Sequence, residues 1–376
     1  MDMKNILKSS VAAGALFALA APVAGTAQAD IKNGNSKVSL TVGGQIGRAL
    51  VYVDDGEHSQ LFNADSQSSP TRLRFIVSGK LTESITVGGL IENDYAASNA
   101  SYSFTAAGES AGDDTAFGIR HAFISFQHKS MGKLSLGQTN SASNGIAEST
   151  YNNNGGALVN GGGLISSVQW TTGTGGALSG LTAACQTNHF DGLSRDDVIR
   201  YDSPSFAGFS LAASHLNSGN FDAAVRYSGK LMGLSVKGGF HYANLAASST
   251  SVKAQYGGSA AIKHSSGFSV RGNWGKQTDK NSGFAGRSPL GWGVGGSYEA
   301  KLSSLGATTF YVDYFKSEDI LTEGNKMKTF FVGINQDLDS IGSSIDLVYG
   351  RYSLDDTSGT DYNDIDAVLF QTILAF

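Results

Sequence analysis

Few residues of this 376-residue chain could carry out bond chemistry. Cys185 is the single cysteine, which excludes an intramolecular disulfide and a cysteine-rich metal site. The seven histidines show no His-Glu-x-x-His or comparable metal-ligand spacing. Ser125, His121 and His128 could supply a nucleophile and a base, but the two histidines fall on opposite faces of an extended strand and neither has an evident carboxylate partner. We therefore expect no catalytic residues, no metal ligands and no enzymatic activity.

A glycine-rich motif also has a possible chemical meaning. Residues Gly291 to Gly296 (GWGVGG) fit the spacing of a dinucleotide-binding fingerprint. That fingerprint needs a following helix whose N-terminus faces the pyrophosphate, and here the motif lies inside an alternating, strand-like segment. We interpret it as part of a β-strand.

Composition limits the class of protein. The chain has 49 glycines and 4 prolines, with 16% charged and 40% hydrophobic residues. Low charge without high hydrophobicity argues against a disordered chain and against a bundle of membrane helices. The net charge of −5 excludes a generally basic protein that coats nucleic acid.

The first residues have the pattern of an export signal. Lys4 and Lys8 precede an apolar run over residues 11–25, and Ala27-Gln28-Ala29 offers small residues at a cleavage site. The apolar run is shorter than the ~20 residues that a membrane-spanning helix needs. The sequence predicts a signal peptide over residues 1–29 and a single domain over residues 30–376.

Apolar and polar residues alternate with period two along most of this domain. Val38, Leu40, Val42 and Ile46 illustrate the pattern, with Lys37, Ser39, Thr41 and Gln45 between them. Similar alternation starts near residues 72, 221, 234 and 292. This spacing predicts β-strands with one apolar face and one polar, glycine-rich face.

Three observations favour a membrane barrel over a soluble sandwich. The strand candidates run about ten residues, enough to cross a bilayer at a tilt. Seven short connectors, such as 129–132 and 265–267, alternate with long polar ones at 54–69, 96–116, 141–163, 277–290, 317–326 and 354–363. The chain stops on a strand, which could pair with the first strand and leave no edge in lipid. We predict an all-β, transmembrane antiparallel β-barrel.

Four motifs, in order, resemble the trimeric general porins of Gram-negative outer membranes. Arg72 precedes the hairpin SGKLTESITVGGLIE (78–92), and RHAFISF (120–126) precedes MGKLSLGQ (131–138). The segment RDDVIRYDSPSFAGF (195–209) is similar to an Arg-Tyr-Ser-Pro-aromatic-Gly turn of that family. Phe376 matches the terminal aromatic that the barrel assembly machinery reads.

This resemblance implies 16 strands, short periplasmic turns, long extracellular loops and an inward-folded constriction loop, expected at residues 140–167. Residues 168–188 leave an alternative open, because they form either an extra hairpin, giving 18 strands, or part of the inward loop and its return. The resemblance also implies a homotrimer in the bacterial outer membrane.

Parity assigns charged side chains to the lumen. The expected pore-lining residues are Arg72, Arg74, Glu92, Arg120, Glu148, Arg200, Arg226, Lys237 and Arg271, with Phe376 as the assembly signal. Arginine keeps its charge at any accessible pH, so a basic wall facing Glu148 would produce a transverse field that sets ion preference. The alternative for each arginine is a stabilising ion pair without a role in selectivity.

The predicted function is passive diffusion of ions and small hydrophilic solutes through a water-filled channel. A substrate-selective channel for a sugar or an anion is the alternative. Membrane lipid and lipopolysaccharide are the expected surroundings, and no nucleic-acid partner is expected. No cofactor is expected; calcium at acidic loop groups such as Asp54-Asp55, Asp113-Asp114, Asp355-Asp356 or the Asp361/Asn363/Asp364 cluster is the alternative to simple solvated charge.

Overall fold

The computed structural model describes residues 37–66, 69–96, 104–105, 108–109, 116–152, 165, 168–173, 175–183, 189–280, 283–284 and 286–376. The predicted signal peptide, Cys185, Asp113-Asp114 and much of the predicted constriction loop lie outside these residues. Nearly all the secondary structure is β-strand. Within the described ranges, no helix is long and apolar enough to span a membrane.

The strands follow the alternating segments of the sequence. In chain order they are β1 (Ser39–Asp54), β2 (Ser59–Asp65), β3 (Arg72–Lys80), β4 (Ile85–Ala96), β5 (Phe104–Thr105), β6 (Gly108–Glu109), β7 (Ala116–His128), β8 (Gly132–Asn140), β9 (Gln169–Thr171), β10 (Leu178–Thr182), β11 (Arg195–Asp202), β12 (Phe209–Leu216), β13 (Phe221–Leu231), β14 (Leu234–Asn244), β15 (Val252–Lys263), β16 (Phe268–Asp279), β17 (Leu290–Ser303), β18 (Gly306–Glu318), β19 (Lys326–Leu338), β20 (Ser343–Asp355) and β21 (Ile365–Ala375).

The large sheet closes on itself as a 16-stranded antiparallel barrel. β2 and β3 pair with the two halves of β1 and together make the second strand of the wall. β21 pairs with β1 along ten residue positions, from Gln45 opposite Ala375 to Asp54 opposite Asp366. β9 and β10 pair with each other and form a separate two-stranded sheet that is not part of the barrel wall. The predicted barrel is confirmed with 16 strands, and the hairpin within residues 168–188 belongs to a loop.

The two faces of the wall differ in chemistry, as the alternation predicted. On β21, Val368, Phe370 and Leu374 are about two-fifths exposed on the outer face, whereas Gln371 is buried inside. Outward apolar and aromatic side chains occur around the barrel, and inward positions carry most of the buried polar residues. One part of the inner wall, on β1, β2 and β18–β21, is instead apolar.

Connections at the two ends of the barrel differ in length. At the turn end, all seven connections are short, at 81–84, 129–131, 203–208, 232–233, 264–267, 304–305 and 339–342. The tightest uses Met232 and Gly233, both with positive φ, as a two-residue hairpin requires. At the opposite, loop end, the predicted long connector 54–69 is wrong, because β2 occupies residues 59–65 and leaves a tight turn at 55–58. The many polar residues of this segment concealed the short strand, in which Phe62 and Ala64 alternate with outward-facing residues and are buried on the inner face.

Candidate functional site

The connection between β8 and β11, residues 141–194, folds back onto the inner wall. We call it the inward loop and divide its described residues into a first limb (141–152), a hairpin (168–183) and a return limb (189–194). The first limb contains a single 3₁₀ turn, Ile146–Glu148, that contacts β14, β15 and β16. Ile146 and Ala147 are buried, and Ile146 lies against Gly239 of β14, where an added Cβ would be 3.2 Å from the Ile146 Cδ1. The loop therefore occupies part of the lumen.

Asp222 anchors the first limb to the wall. This carboxylate, on the inner face of β13, is 1% exposed. It accepts hydrogen bonds from the backbone N–H groups of Ala142 (3.2 Å) and Ser143 (2.9 Å), and from the hydroxyls of Ser143 and Ser214. An ionised carboxylate that accepts several such bonds is strongly stabilised in place. Asp222 fixes the point at which the loop enters the barrel.

Two of the predicted pore arginines hold the same limb. Arg200 donates to the carbonyl oxygens of Asn140 (3.0 Å) and Ser141 (2.8 Å) and forms an ion pair with Asp202. Arg226 donates to the carbonyl oxygen of Ala142 at 2.6 Å. Both side chains lie on the inner face as parity predicted, and both donate hydrogen bonds to backbone carbonyl oxygens where β8 passes into the loop.

The return limb has separate contacts on the neighbouring strands. His241 of β14, fully buried, contacts the carbonyl oxygen of Phe190 at 2.7 Å through Nε2. Gln255 of β15 donates to the carbonyl oxygen of Gly192 at 3.1 Å. Phe190 covers Gly275 so closely that a Cβ added to this glycine would lie 2.4 Å from the Phe190 Cβ. The first and return limbs thus lie side by side on β13–β16.

The hairpin packs on the opposite, apolar part of the wall. Trp170 is fully buried there. Its cluster contains Ala49, Val51, Val53, Phe62, Ala64, Ile165, Val168, Ala183, Tyr311, Met327, Phe331, Val348, Tyr352, Leu354, Ile365, Ala367 and Leu369. At the loop end, the Thr171 hydroxyl donates to the Asp55 carbonyl oxygen at 2.7 Å and accepts from the Asn363 amide at 3.0 Å. The inward loop therefore reaches from β13–β16 to β18–β21 and β1.

A cluster of opposite charges lies on β3, β4 and β7. Glu92, buried on the inner face, contacts Arg72 at 3.5 Å and Arg120 at 2.8 Å, and it also pairs with Arg74. Arg120 bridges to Asp94 at 3.1 Å. The structure thus brings together four of the residues predicted to line the pore and adds Asp94. With three guanidinium groups against two carboxylates, the cluster carries one net positive charge.

A β-bulge explains why Arg120 reaches this cluster. The pairing of β4 with β7 shifts register between Glu92 and Asn93, so that Arg120 is the extra residue. His121, its neighbour, also turns to the inner face and contacts the Thr139 hydroxyl at 3.1 Å through Nδ1. Strict period-two alternation predicts that these adjacent residues lie on opposite faces, and the bulge removes that difference.

The other predicted pore residues occupy three further positions. Lys237 lies over the ring of Tyr151 in the first limb, 4.7 Å from its centroid. Arg271 forms an ion pair with Asp313 at 2.7 Å, with only 6% of its side chain exposed. Glu148, in the 3₁₀ turn, lies 3.3 Å from Nε2 of His189 in the return limb.

Glu148, His189 and Asp191 form a mixed group on the two limbs. One potential ligand atom from each lies within 4.8 Å of the others. Burial opposes protonation of His189, but the hydrogen bond and charge of Glu148 and the charge of Asp191 outweigh it and raise the imidazole pKa. Burial, together with the nearby charge of Glu148, raises the pKa of Asp191.

Residues considered for bond chemistry do not assemble into a triad. The buried Ser125 hydroxyl has no hydrogen-bond partner among the described atoms. His121 contacts Thr139, and Nδ1 of His128 accepts backbone N–H groups of the turn at 129–131. Gly291 to Gly296 lie within β17, as predicted.

Loop carboxylates have protein partners. Asp55 accepts the backbone N–H groups of Glu57 and His58, Asp355 pairs with Lys328, and Asp364 pairs with Arg351. These contacts stabilise the loop end of the barrel.

Phe376 takes part in barrel closure. Its carbonyl oxygen accepts from the N–H of Gly44 at 2.8 Å, and its own N–H donates to the Gly44 carbonyl oxygen at 3.1 Å. The ring lies against Gly44, where an added Cβ would be 2.7 Å from it. The last residue therefore extends the pairing of β21 with β1.

Sequence reasoning missed several residues that build this site. The alternation along β13 places Asp222 on the polar face of the strand, and this was the one sequence signal that it faces the lumen. Asp191 and His189 gave no signal, because an irregular loop segment positions them and no periodicity applies there. Trp170 gave none because its strand, β9, has only three residues, too few to show an alternation.

Comparison with known proteins agrees with this architecture. A family model described as Gram-negative porin matches residues 15–357. No curated protein sequence matches the chain.

Solved structures of outer-membrane porins share the fold. An anion-selective porin from Comamonas acidovorans superimposes with a TM-score of 0.61 at 16% identity, covering 90% of this chain and 100% of that one. The trimer form of OmpT, an outer membrane protein of Vibrio cholerae, gives 0.56 at 11% identity, covering 90% and 99%. Salmonella typhi OmpF, solved with daunomycin, gives 0.54 at 12% identity, covering 90% and 97%. The chain belongs to the Gram-negative porin family and is an outer-membrane channel for passive diffusion.

Proposed function

We propose that this porin is a general diffusion pore with a preference for anions, narrowed by the inward loop. Solutes pass through water beside the charged inner wall, so the protein lowers the cost of crossing ~30 Å of hydrocarbon without bond chemistry. The contacts of the described loop residues run to β11–β16, β18–β21 and β1. The charged cluster on β3, β4 and β7 then faces the remaining passage.

The observation that carries the proposal is the charge of this cluster. Arg74 and Arg120 keep 17% and 18% of their side chains exposed, so ions in the lumen can approach their guanidinium groups. Glu92 holds these side chains in fixed positions, and the excess of one positive charge attracts anions and repels cations. The anion selectivity of the Comamonas acidovorans relative supports the same direction.

The test is the reversal potential of single channels under a KCl gradient. The wild type should prefer chloride, and the double variant Arg74→Gln/Arg120→Gln should shift the reversal potential towards cation preference. Arg351→Gln is the matched control, because Arg351 lies on the outer face of β20, pairs with Asp364 and Asp366, and should leave the value unchanged. An unchanged reversal potential in the double variant would remove the cluster from the selectivity account.

A substrate-selective channel is the competing function. It predicts that a sugar or an organic anion blocks conductance at micromolar concentration. A general pore predicts that conductance follows bulk salt and shows no such block.

The proposal extends to export and assembly. The signal over residues 1–29 is cleaved, Phe376 serves the barrel assembly machinery, and three chains form a homotrimer in contact with lipid and lipopolysaccharide. The trimer form of the Vibrio cholerae relative supports the assembly state. Conduction needs no cofactor, and the pore is not an enzyme.

A further inference from the structure

We propose that Glu148, His189 and Asp191 form a binding site for a divalent transition-metal ion such as Zn²⁺, which joins the two limbs of the inward loop. This inference is independent of the proposed anion preference. It concerns a group of side chains that the diffusion function does not use.

The donor set suits such an ion. One imidazole nitrogen and two carboxylate oxygens converge within 4.8 Å of one another. Zn²⁺ accepts this mixture of nitrogen and oxygen ligands and keeps a further position for water in a three-ligand site. Calcium and magnesium prefer an all-oxygen shell, so the imidazole favours a transition metal.

The ligands are held in place by contacts outside the site. The Asp191 carboxylate accepts the N–H groups of Gly145 (2.5 Å) and Ala147 (2.6 Å), which ties it to the first limb. His241 contacts the carbonyl oxygen of Phe190, between the two ligands of the return limb. Ser259 contacts both Ile146 and Ser149, on either side of Glu148. Such support from surrounding groups fixes ligand orientation and raises metal affinity.

The site is also reachable from water. Side-chain exposure is 18% for His189 and 26% for Glu148. Because the ligands come from residues 148 and 189–191, a bound ion would close the chain between them into one cross-linked loop. It would also add two positive charges inside the barrel, which should increase preference for anions and reduce movement of the loop.

Calorimetric titration of the full-length, detergent-solubilised protein with ZnCl₂ tests the proposal. The wild type should bind one ion per chain saturably, and His189→Gln and Glu148→Gln should each weaken binding by about tenfold or more. His215→Gln is the matched control, since this exposed histidine lies on the outer face of β12 and should bind as the wild type. Heat-modifiable mobility in gel electrophoresis verifies that each variant has a folded barrel.

A second readout is spectroscopic. Co²⁺ bound in place of Zn²⁺ should give visible d–d absorption. Added Zn²⁺ should displace the Co²⁺ and abolish this absorption, and His189→Gln should not show it. Equal Zn²⁺ affinity in His189→Gln and wild type, or no saturable binding by the folded wild type, would overturn the site. Conductance steps recorded on the same preparation test the diffusion function separately. A protein that conducts ions but binds no Zn²⁺ would therefore overturn the metal site alone.

Discussion

Asp222 offers the sharpest test of how the inward loop is held. Replacing it with alanine removes the acceptor for four hydrogen bonds that join β12, β13 and the first limb. Among the described residues, the backbone N–H of Ser143 then has no acceptor, and that of Ala142 keeps only the Ser214 hydroxyl oxygen at 2.9 Å. The strand pairing of β13 is untouched, so the barrel itself should still form.

The magnitude follows from the contacts. A hydrogen bond to a charged group contributes about 1.5–3 kcal/mol, and the two backbone bonds together therefore contribute about 3–6 kcal/mol. Every 1.4 kcal/mol is about a tenfold change in an equilibrium constant. Asp222→Ala should therefore raise the population with a detached first limb by about a hundredfold or more. Asp222→Asn retains an acceptor oxygen and should have a smaller effect.

Single-channel recording measures this change. Asp222→Ala should show larger mean conductance and frequent flicker, and the first limb should be cleaved faster by added protease. Asp197→Ala is the control, because this exposed carboxylate lies on the outer face of β11. Conductance, noise and cleavage indistinguishable from the wild type in Asp222→Ala would refute the role of Asp222 as the anchor.

Other variants probe the remaining contacts of the wall and the loop. Trp170→Ala leaves a cavity in the apolar cluster and should weaken docking of the hairpin by about 3–5 kcal/mol. Proteolysis within residues 168–183 should then be faster than in the wild type, and equal cleavage rates would contradict this prediction. Gly275→Ala places a methyl group against Phe190 and should displace the return limb, which a changed single-channel conductance would report and an unchanged one would exclude. Deleting Phe376 should slow assembly into the outer membrane in cells more than refolding in detergent, and equal slowing in both would remove its signalling role.

The regular part of the fold could be predicted from sequence because a barrel imposes one rule on every strand. Residues such as Val368 and Phe370 must face lipid, and Gln371 between them must face the interior, so alternation alone locates the strand. The rule fails where the inner wall is itself apolar. Val51 and Phe331 lie on the inner face, where they are buried in one cluster with Trp170 of the hairpin and with apolar residues of neighbouring strands.

The site was less predictable for a related reason. Parity placed Arg200 and Arg226 on the inner face, but their partners are loop carbonyl oxygens whose position no periodicity encodes. The bulge at Arg120 breaks the parity rule locally, and it decides which side chains meet Glu92. Contacts between a wall and an irregular loop depend on three-dimensional packing, which a linear pattern does not record.

Planar-bilayer recording of the purified protein tests the central claim most directly. A water-filled passage lined by the inner face predicts discrete conductance steps whose size rises in proportion to the conductivity of the bathing salt. A folded barrel that inserts into the bilayer but conducts no ions would contradict the account.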